Sequence, residues 1–460
     1  MGCCDEHTRS EALRRGIALA GNGLPAIEPG MPTPAGTGLD RRSFLSRSLG
    51  VALSVYGGAA LLPRALEVGI EDAMAAAGPN GKVLVSVFLD GGADSLSMLF
   101  PAEDARYRKL RPRLALSPTA ASVRFSEDPR LWWHPALAPL AALHAEGKVT
   151  VLPGIGYTDA NQSHFTSRHF WEVGATDERL QSGWMGRYLD RYGRGDNPLQ
   201  GLSLDWSLQP SLATKAKPVA SIDGPDRFDF WTRGVWGSVE SRMIAAIGGL
   251  GSVAARGDAA LDQATRAARQ SHLLYRQLAP FRKKESGFGS PVAYPQSDDS
   301  FPRRLAGLAA MLAAGLPLRC VALTAPGAYD THDSQPNELD EGLEVTAASL
   351  FAFQRDLEAR GLADRVVTLV WSEFGRRPEE NGSNGTDHGA AGIAFVMGTR
   401  ASGHMVGELP DLSRLDRDGN LRPNSDFRAL YRSLIEGWLG GDAAAVLPGA
   451  KAFRPIPILR

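Results

Sequence analysis

The chain has 460 residues, 43% of them hydrophobic and 22% charged, with 50 basic residues against 51 acidic ones and a formal net charge of -1. That length holds two or three average domains or one large α/β domain with insertions. The balanced charge excludes a nucleic-acid binder and a strongly basic membrane-surface protein. Cys3, Cys4 and Cys320 are the only cysteines, so no disulfide framework or thiolate metal site follows, and Cys320 reads as a small buried hydrophobe.

The first predicted element is a leader over residues 1–77. Residues 39 to 45 read L-D-R-R-S-F-L, followed by the apolar run L-G-V-A-L-S-V-Y-G-G-A-A-L-L-P and a small-residue site at Ala75-Ala76-Ala77. The run is too short and glycine-rich for a stable membrane anchor. The order resembles a twin-arginine export signal, which a receptor reads. It implies the twin-arginine export machinery as a partner and a mature protein, residues 78–460, in the periplasm or outside the cell.

K-V-L-V-S-V-F-L-D-G-G-A-D-S, from Lys82, is apolar on both faces until its Gly-Gly turn and predicts a buried central strand of a mostly parallel sheet. A helix over Trp133 to Lys148 leads to a second strand, V-T-V-L-P-G-I-G, and then to N-Q-S-H-F-T-S-R-H-F-W-E-V-G. Between about residues 178 and 300 the pattern weakens, apart from a long polar helix near 259 to 279, and reads as an irregular insertion. Two further helix–strand units end in R-C-V-A-L-T and V-V-T-L-V-W-S. Together these predict an α/β fold, a doubly wound, mostly parallel sheet with helices on both faces.

Ligands in such sheets bind beyond the carboxyl ends of the strands, and there the sequence places polar residues. The first strand leads to Asp90 and Asp94, the second to Ser163 and His164, the third to Asp330 and His332, and the fourth to Glu373, with Asp387 and His388 following in a glycine-rich loop. Asp, Glu and His without Cys suit a divalent metal such as Zn, Mn, Mg or Ca. Each fragment alone also serves as a cap, turn or salt bridge; at successive strand ends they point to one shared site. Ser163 before a helix is either an N-cap or a nucleophile beside backbone N–H donors. Arg168 and Arg376 are candidate anion clamps or ordinary ion-pair partners. His134 reads as a supporting residue; His144, His169 and His272 read as surface or core, and His404 has no local support.

The ordered fragments F-L-D-G-G-A-D-S, S-H-F-T-S-R-H-F-W-E, Y-D-T-H-D-S-Q, S-E-F-G-R and G-T-D-H-G resemble an exported bacterial family, domain of unknown function 1501, of the alkaline phosphatase and sulfatase superfamily. The resemblance spans about residues 82 to 440. It implies an alkaline phosphatase-like fold and a metal-dependent hydrolase or transferase of phosphate or sulfate esters. Carried over by position, Asp94 is similar to the first-strand metal Asp, Ser163 stands at the nucleophile, and Asp330 and His332 match a metal-holding pair. Glu373 replaces an Asp, Phe374 takes the place of a His, and His388 is the final ligand. The loss of that His implies that one of two metals is weakened or absent.

The leading expectation is an exported metal-dependent ester hydrolase acting on an anionic ester. Asp94, Asp330, His332, Glu373 and His388 hold the metal, Ser163 or water attacks, and His164 and Asp387 support. The alternative is a non-catalytic, metal-stabilised binding protein that keeps a surface ligand. An oxidoreductase, the third reading, lacks a G-x-G-x-x-G after a strand.

Overall fold

The computed structural model describes residues 81–193, 197–229, 235–253, 258–282 and 288–460. The leader expected over residues 1–77 lies outside them. In chain order the strands are β1 (Val83–Phe88), β2 (Leu99–Phe100), β3 (Val123–Arg124), β4 (Trp132–Trp133), β5 (Val149–Gly156), β6 (Gly201–Leu204), β7 (Ala220–Ile222), β8 (Cys320–Thr324), β9 (Val366–Trp371), β10 (Arg376–Glu380), β11 (Thr386–His388), β12 (Gly392–Met397) and β13 (Ser425–Asp426). Eight of them form one sheet in the order β13-β5-β12-β9-β1-β8-β6-β7; β10 pairs with β11, and β2, β4 and β3 make a small third sheet.

The fold is mixed α/β around this large, mostly parallel sheet. Strand β1 lies at its centre, parallel to both β8 and β9. Its side chains alternate with period two, so Val83, Val85 and Val87 enter one apolar layer while Leu84 and Phe88 enter the other. Helices Phe301–Ala313 and Gln335–Ala359 cover the first layer. Helices His164–Val173, Trp184–Tyr192 and Phe427–Ser433 cover the second. Sandwiched this way, the strands need no polar face, which is why they read as unbroken apolar runs.

Two departures from the sequence reading matter. Strands β6 and β7 come from the stretch 178–300 and extend the sheet beyond β8, so part of that segment is sheet rather than irregular insertion. Strand β12 runs antiparallel to both its neighbours, β5 and β9. The link from β9 to β12 holds only the β10–β11 hairpin and no crossover helix, so the chain turns back beside β9. As a result, the residues preceding β12, His388 among them, meet the residues that follow β1, β5, β8 and β9 at the same sheet edge.

Among the described residues, no helix is long and apolar enough to cross a membrane.

Candidate metal centre

The site is built on the turn after β1. Gly91 and Gly92 adopt positive φ, +125° and +78°, and direct two successive backbone N–H groups at the fully buried Glu373: Gly91 N is 3.1 Å from Oε1 and Gly92 N is 3.0 Å from Oε2. Side chains have no room here. A Cβ on Gly91 would lie 2.3 Å from the backbone nitrogen of Asp330, and one on Gly92 would lie 2.3 Å from the Phe374 ring. The turn therefore seats the carboxylate and fixes the approach of the loop after β8.

Glu373 in turn accepts from Nδ1 of His164 at 2.8 Å. His164 opens the helix His164–Val173, which is pinned to the sheet by Trp171 stacking on Trp371 at 5.3 Å and by Ser167 Oγ donating to the Glu373 carbonyl at 2.6 Å. The opposite ring nitrogen, Nε2, faces Oδ2 of Asp330 at 3.3 Å. Burial lowers the affinity of the His164 ring for a second proton, but bonding to Asp330 and Glu373 and the charge of both carboxylates outweigh it, lifting its pKa to about 9.

Two more histidines reach the same carboxylate. His388 Nε2 is 3.1 Å and His332 Nε2 is 3.2 Å from Asp330 Oδ1, and the two Nε2 atoms are 2.9 Å apart. Each of the three rings has an acceptor at Nδ1: Glu373 for His164, Asp387 Oδ1 at 3.2 Å for His332, and the Gln162 carbonyl at 2.8 Å for His388. A neutral imidazole whose Nδ1–H is held by an acceptor presents its Nε2 lone pair to the opposite side. With all three rings neutral, three lone pairs and a carboxylate would converge repulsively, so either protons, as on His164, or a cation must lie among them. Burial and the neighbouring positive charges of His164 and Arg376 hold His388 below its ordinary value despite Asp330. Asp330 is half-buried, which opposes its ionisation, yet bonds from His164, His332 and His388 and the charge of Arg376 keep it far below the usual carboxylate range.

The donor set fits a divalent ion. Ligands about 2.0–2.1 Å from a tetrahedral ion sit about 3.3 Å from one another, close to the spacings around Asp330. Ligand atoms of His164, Asp330 and His388 all lie within 4.8 Å of one another, a group that can hold a metal ion. The Oδ2 of Asp330 is buried and faces His164 Nε2 at 3.3 Å. The Phe374 ring packs against both His164 and His388, at 4.9 and 4.8 Å, and closes the floor of the cluster.

The remaining candidates sit around this centre. Arg376 is buried and spends its guanidinium on Asp330 and on the carbonyls of Gly91, Gly92, Tyr329 and Thr386. Asp90 pairs with Arg168, which also binds Glu172. Ser163 is the N-cap residue before His164, its hydroxyl accepts no capping bond from the helix, and its backbone N–H donates to Asn161 Oδ1 at 2.8 Å. Asp94 is fully buried and engaged by Arg111, Ser97 and Gln335; Gln335 stands between it and the threonines of the two histidine-bearing segments. Arg111, Gln335, Thr331, Thr386 and the Gln162 carbonyl were not singled out by the sequence. Only Gln335-Pro336 opening a long helical run offered any local signal.

Residues 259–429 match the model of a family described as "Protein of unknown function (DUF1501)". The DUF1501 match takes in Asp330, His332, Glu373 and His388, while Asp94, Ser163 and His164 lie before it. Among solved structures, the chain is similar to the C-terminal periplasmic domain of EcEptC from Escherichia coli, at 10% identity and a TM-score of 0.35, covering 81% of this chain and 88% of that one. It is also similar to a protein in the alkaline phosphatase superfamily from Vibrio parahaemolyticus, at 10% identity and a TM-score of 0.33, covering 91% and 78%. A third is the phosphonate monoester hydrolase SpPMH from Silicibacter pomeroyi, at 11% identity and a TM-score of 0.30, covering 82% and 75%. No curated relative matches by sequence.

Proposed function

We propose that this protein is an exported metal-dependent hydrolase of phosphate or sulfate esters, with His164, Asp330, His332 and His388 as the metal-holding residues. The observation that carries this reading is the convergence of three Nε2 atoms on one carboxylate, each ring fixed from behind at Nδ1. Three imidazoles and a carboxylate suit Zn or Mn better than Ca or Mg, which favour all-oxygen shells. In this reading Glu373 and Asp387 orient His164 and His332 rather than touching the ion, and Arg376 balances Asp330.

A divalent ion bound there would polarise a phosphoryl or sulfuryl oxygen and lower the pKa of a hydroxyl beside it. The chain supplies the rest. Ser163 lies between Gln162, whose carbonyl holds His388, and His164 itself, and its hydroxyl is the candidate nucleophile. In-line attack by water, or by that hydroxyl followed by attack of water on the seryl ester it forms, makes the new bond to phosphorus or sulfur as the bond to the ester oxygen breaks, and the ester oxygen leaves with the proton that the nucleophile gives up. Arg168, at the same sheet edge, is the candidate clamp for the ester anion. Residues 39 to 77, with their paired arginines and apolar run, support export by the twin-arginine route to the periplasm or beyond.

The second reading, a metal-stabilised binding protein without turnover, is favoured by Asp94, whose carboxylate is committed to Arg111, and by Phe374 packed between two ligand rings. The test is hydrolysis by the mature protein, loaded with Zn or Mn, of a panel of phosphate monoesters, diesters and sulfate esters. Turnover that Ser163→Ala abolishes supports the Ser163 mechanism. No turnover on any ester with either metal contradicts the hydrolase reading.

A further inference from the structure

The two segments that carry the His332 and His388 rings are far apart in sequence, yet one side chain touches both. Gln335 is buried at 1% exposure. Its Oε1 accepts from Thr331 Oγ1 at 3.0 Å and from Thr386 Oγ1 at 2.7 Å. Thr331 stands between Asp330 and His332, and Thr386 comes immediately before Asp387 and His388. The Gln335 Nε2 donates to Asp94 Oδ2 at 2.7 Å, with Ser97 Oγ at 3.3 Å. All the hydrogen-bonding capacity of the amide is therefore used.

The orientation of that amide is dictated by charge. Arg111 contacts both oxygens of Asp94 through its two terminal nitrogens, and although burial opposes ionisation, the guanidinium and the hydrogen bonds keep Asp94 below its ordinary value. An ionised carboxylate only accepts, so the NH2 of Gln335 turns to Asp94 and its carbonyl turns to the two threonines. The backbone strengthens the same junction: Thr386 N donates to the Thr331 carbonyl at 3.0 Å and Gln335 N to the Asn384 carbonyl at 3.1 Å. Gln335 is also the first residue of the 25-residue helix Gln335–Ala359, which packs along the apolar layer and gives the side chain a rigid base.

We propose that Gln335, oriented by the Asp94–Arg111 pair, is a positioning residue that sets the spacing of His332 and His388 against Asp330 and so tunes metal affinity. This rests on the metal-site reading above. Ligands must be held within roughly 0.5 Å of their working geometry, and removing the amide leaves two buried threonine hydroxyls without their acceptor and the two segments joined at this junction by backbone hydrogen bonds alone.

The experiment uses Co(II) as the probe, bound to the whole mature protein, with affinity measured by chelator competition and geometry by the visible ligand-field bands. Gln335→Met keeps the volume and removes the hydrogen bonds; its Co(II) affinity is expected to fall by about tenfold or more, with shifted bands. Thr331→Val and Thr386→Val each remove one arm and are expected to give smaller losses. Wild-type affinity and bands in Gln335→Met overturn the proposal. If Gln335→Met does not fold, the valine variants decide it, and wild-type behaviour in both overturns it. Failure of the wild-type protein to bind Co(II) is a different result, which removes the metal-site reading itself.

Discussion

Nδ1 of His164 lies 2.8 Å from Oε1 of Glu373, a carboxylate with no solvent exposure that also caps two consecutive glycine N–H groups. This contact joins the turn after β1, the helix after β5 and the end of β9 into one unit. It also fixes which nitrogen of His164 faces Asp330. On the proposed reading, metal binding by the cluster depends on a residue that need not touch the ion.

Glu373→Gln tests that dependence. The substitution keeps size but replaces one acceptor oxygen with an NH2 facing backbone N–H or the His164 ring. Metal affinity is expected to fall by about 10–100-fold, with a stability cost of about 1–3 kcal/mol from the unsatisfied buried groups. Chelator competition and thermal unfolding of the metal-free protein measure the two effects separately; unchanged affinity would remove Glu373 from the centre.

Gly91→Ala tests the turn itself. Its Cβ would meet the Asp330 backbone nitrogen at 2.3 Å at a φ of +125°, and backbone cannot yield as a flexible side chain can. The expected outcome is a loss of about 1–3 kcal/mol in stability together with weakened metal binding as Asp330 is displaced. Full metal affinity in this variant would mean that the loop after β8 adjusts without moving its carboxylate.

His169 predicts a pH effect outside the cluster. Burial, opposed only in part by the Asp177 carbonyl, pushes its pKa down to about 4. The folded state thus binds the proton more weakly than the unfolded chain, whose histidine titrates near 6.5. The stability associated with the neutral ring is present above about pH 6.5 and is lost as pH falls towards 4. The gap is equivalent to about 3 kcal/mol. Unfolding of the metal-free protein followed from pH 7 to pH 4 should show this decline, and His169→Gln should flatten it; an equal decline in the variant would assign the effect elsewhere.

The sequence made legible what depends on local pattern. The apolar runs of β1, β5, β8, β9 and β12 mark strands because both faces of the sheet are covered, and Asp330, His332 and His388 drew notice only as a set, since each such fragment alone also serves as a cap, turn or salt bridge. What depends on pairing across the chain was hidden. Nothing near Glu373 indicates that it faces His164, and nothing near Asp94 indicates that Arg111 and Gln335 reach its carboxylate. The antiparallel course of β12 was hidden as well, since an apolar hexapeptide carries no direction; only the absence of a crossover helix before it hints at the return.

The claim that His164, Asp330, His332 and His388 form a metal centre is tested most directly by the metal content of the purified mature protein after loading with Zn or Mn and removal of excess ion, compared with His332→Ala and His388→Ala. The wild-type protein is expected to retain about one ion per chain, and each variant to retain far less while remaining folded by circular dichroism. No retained metal in the wild type, or the same content in all three proteins, would contradict the account.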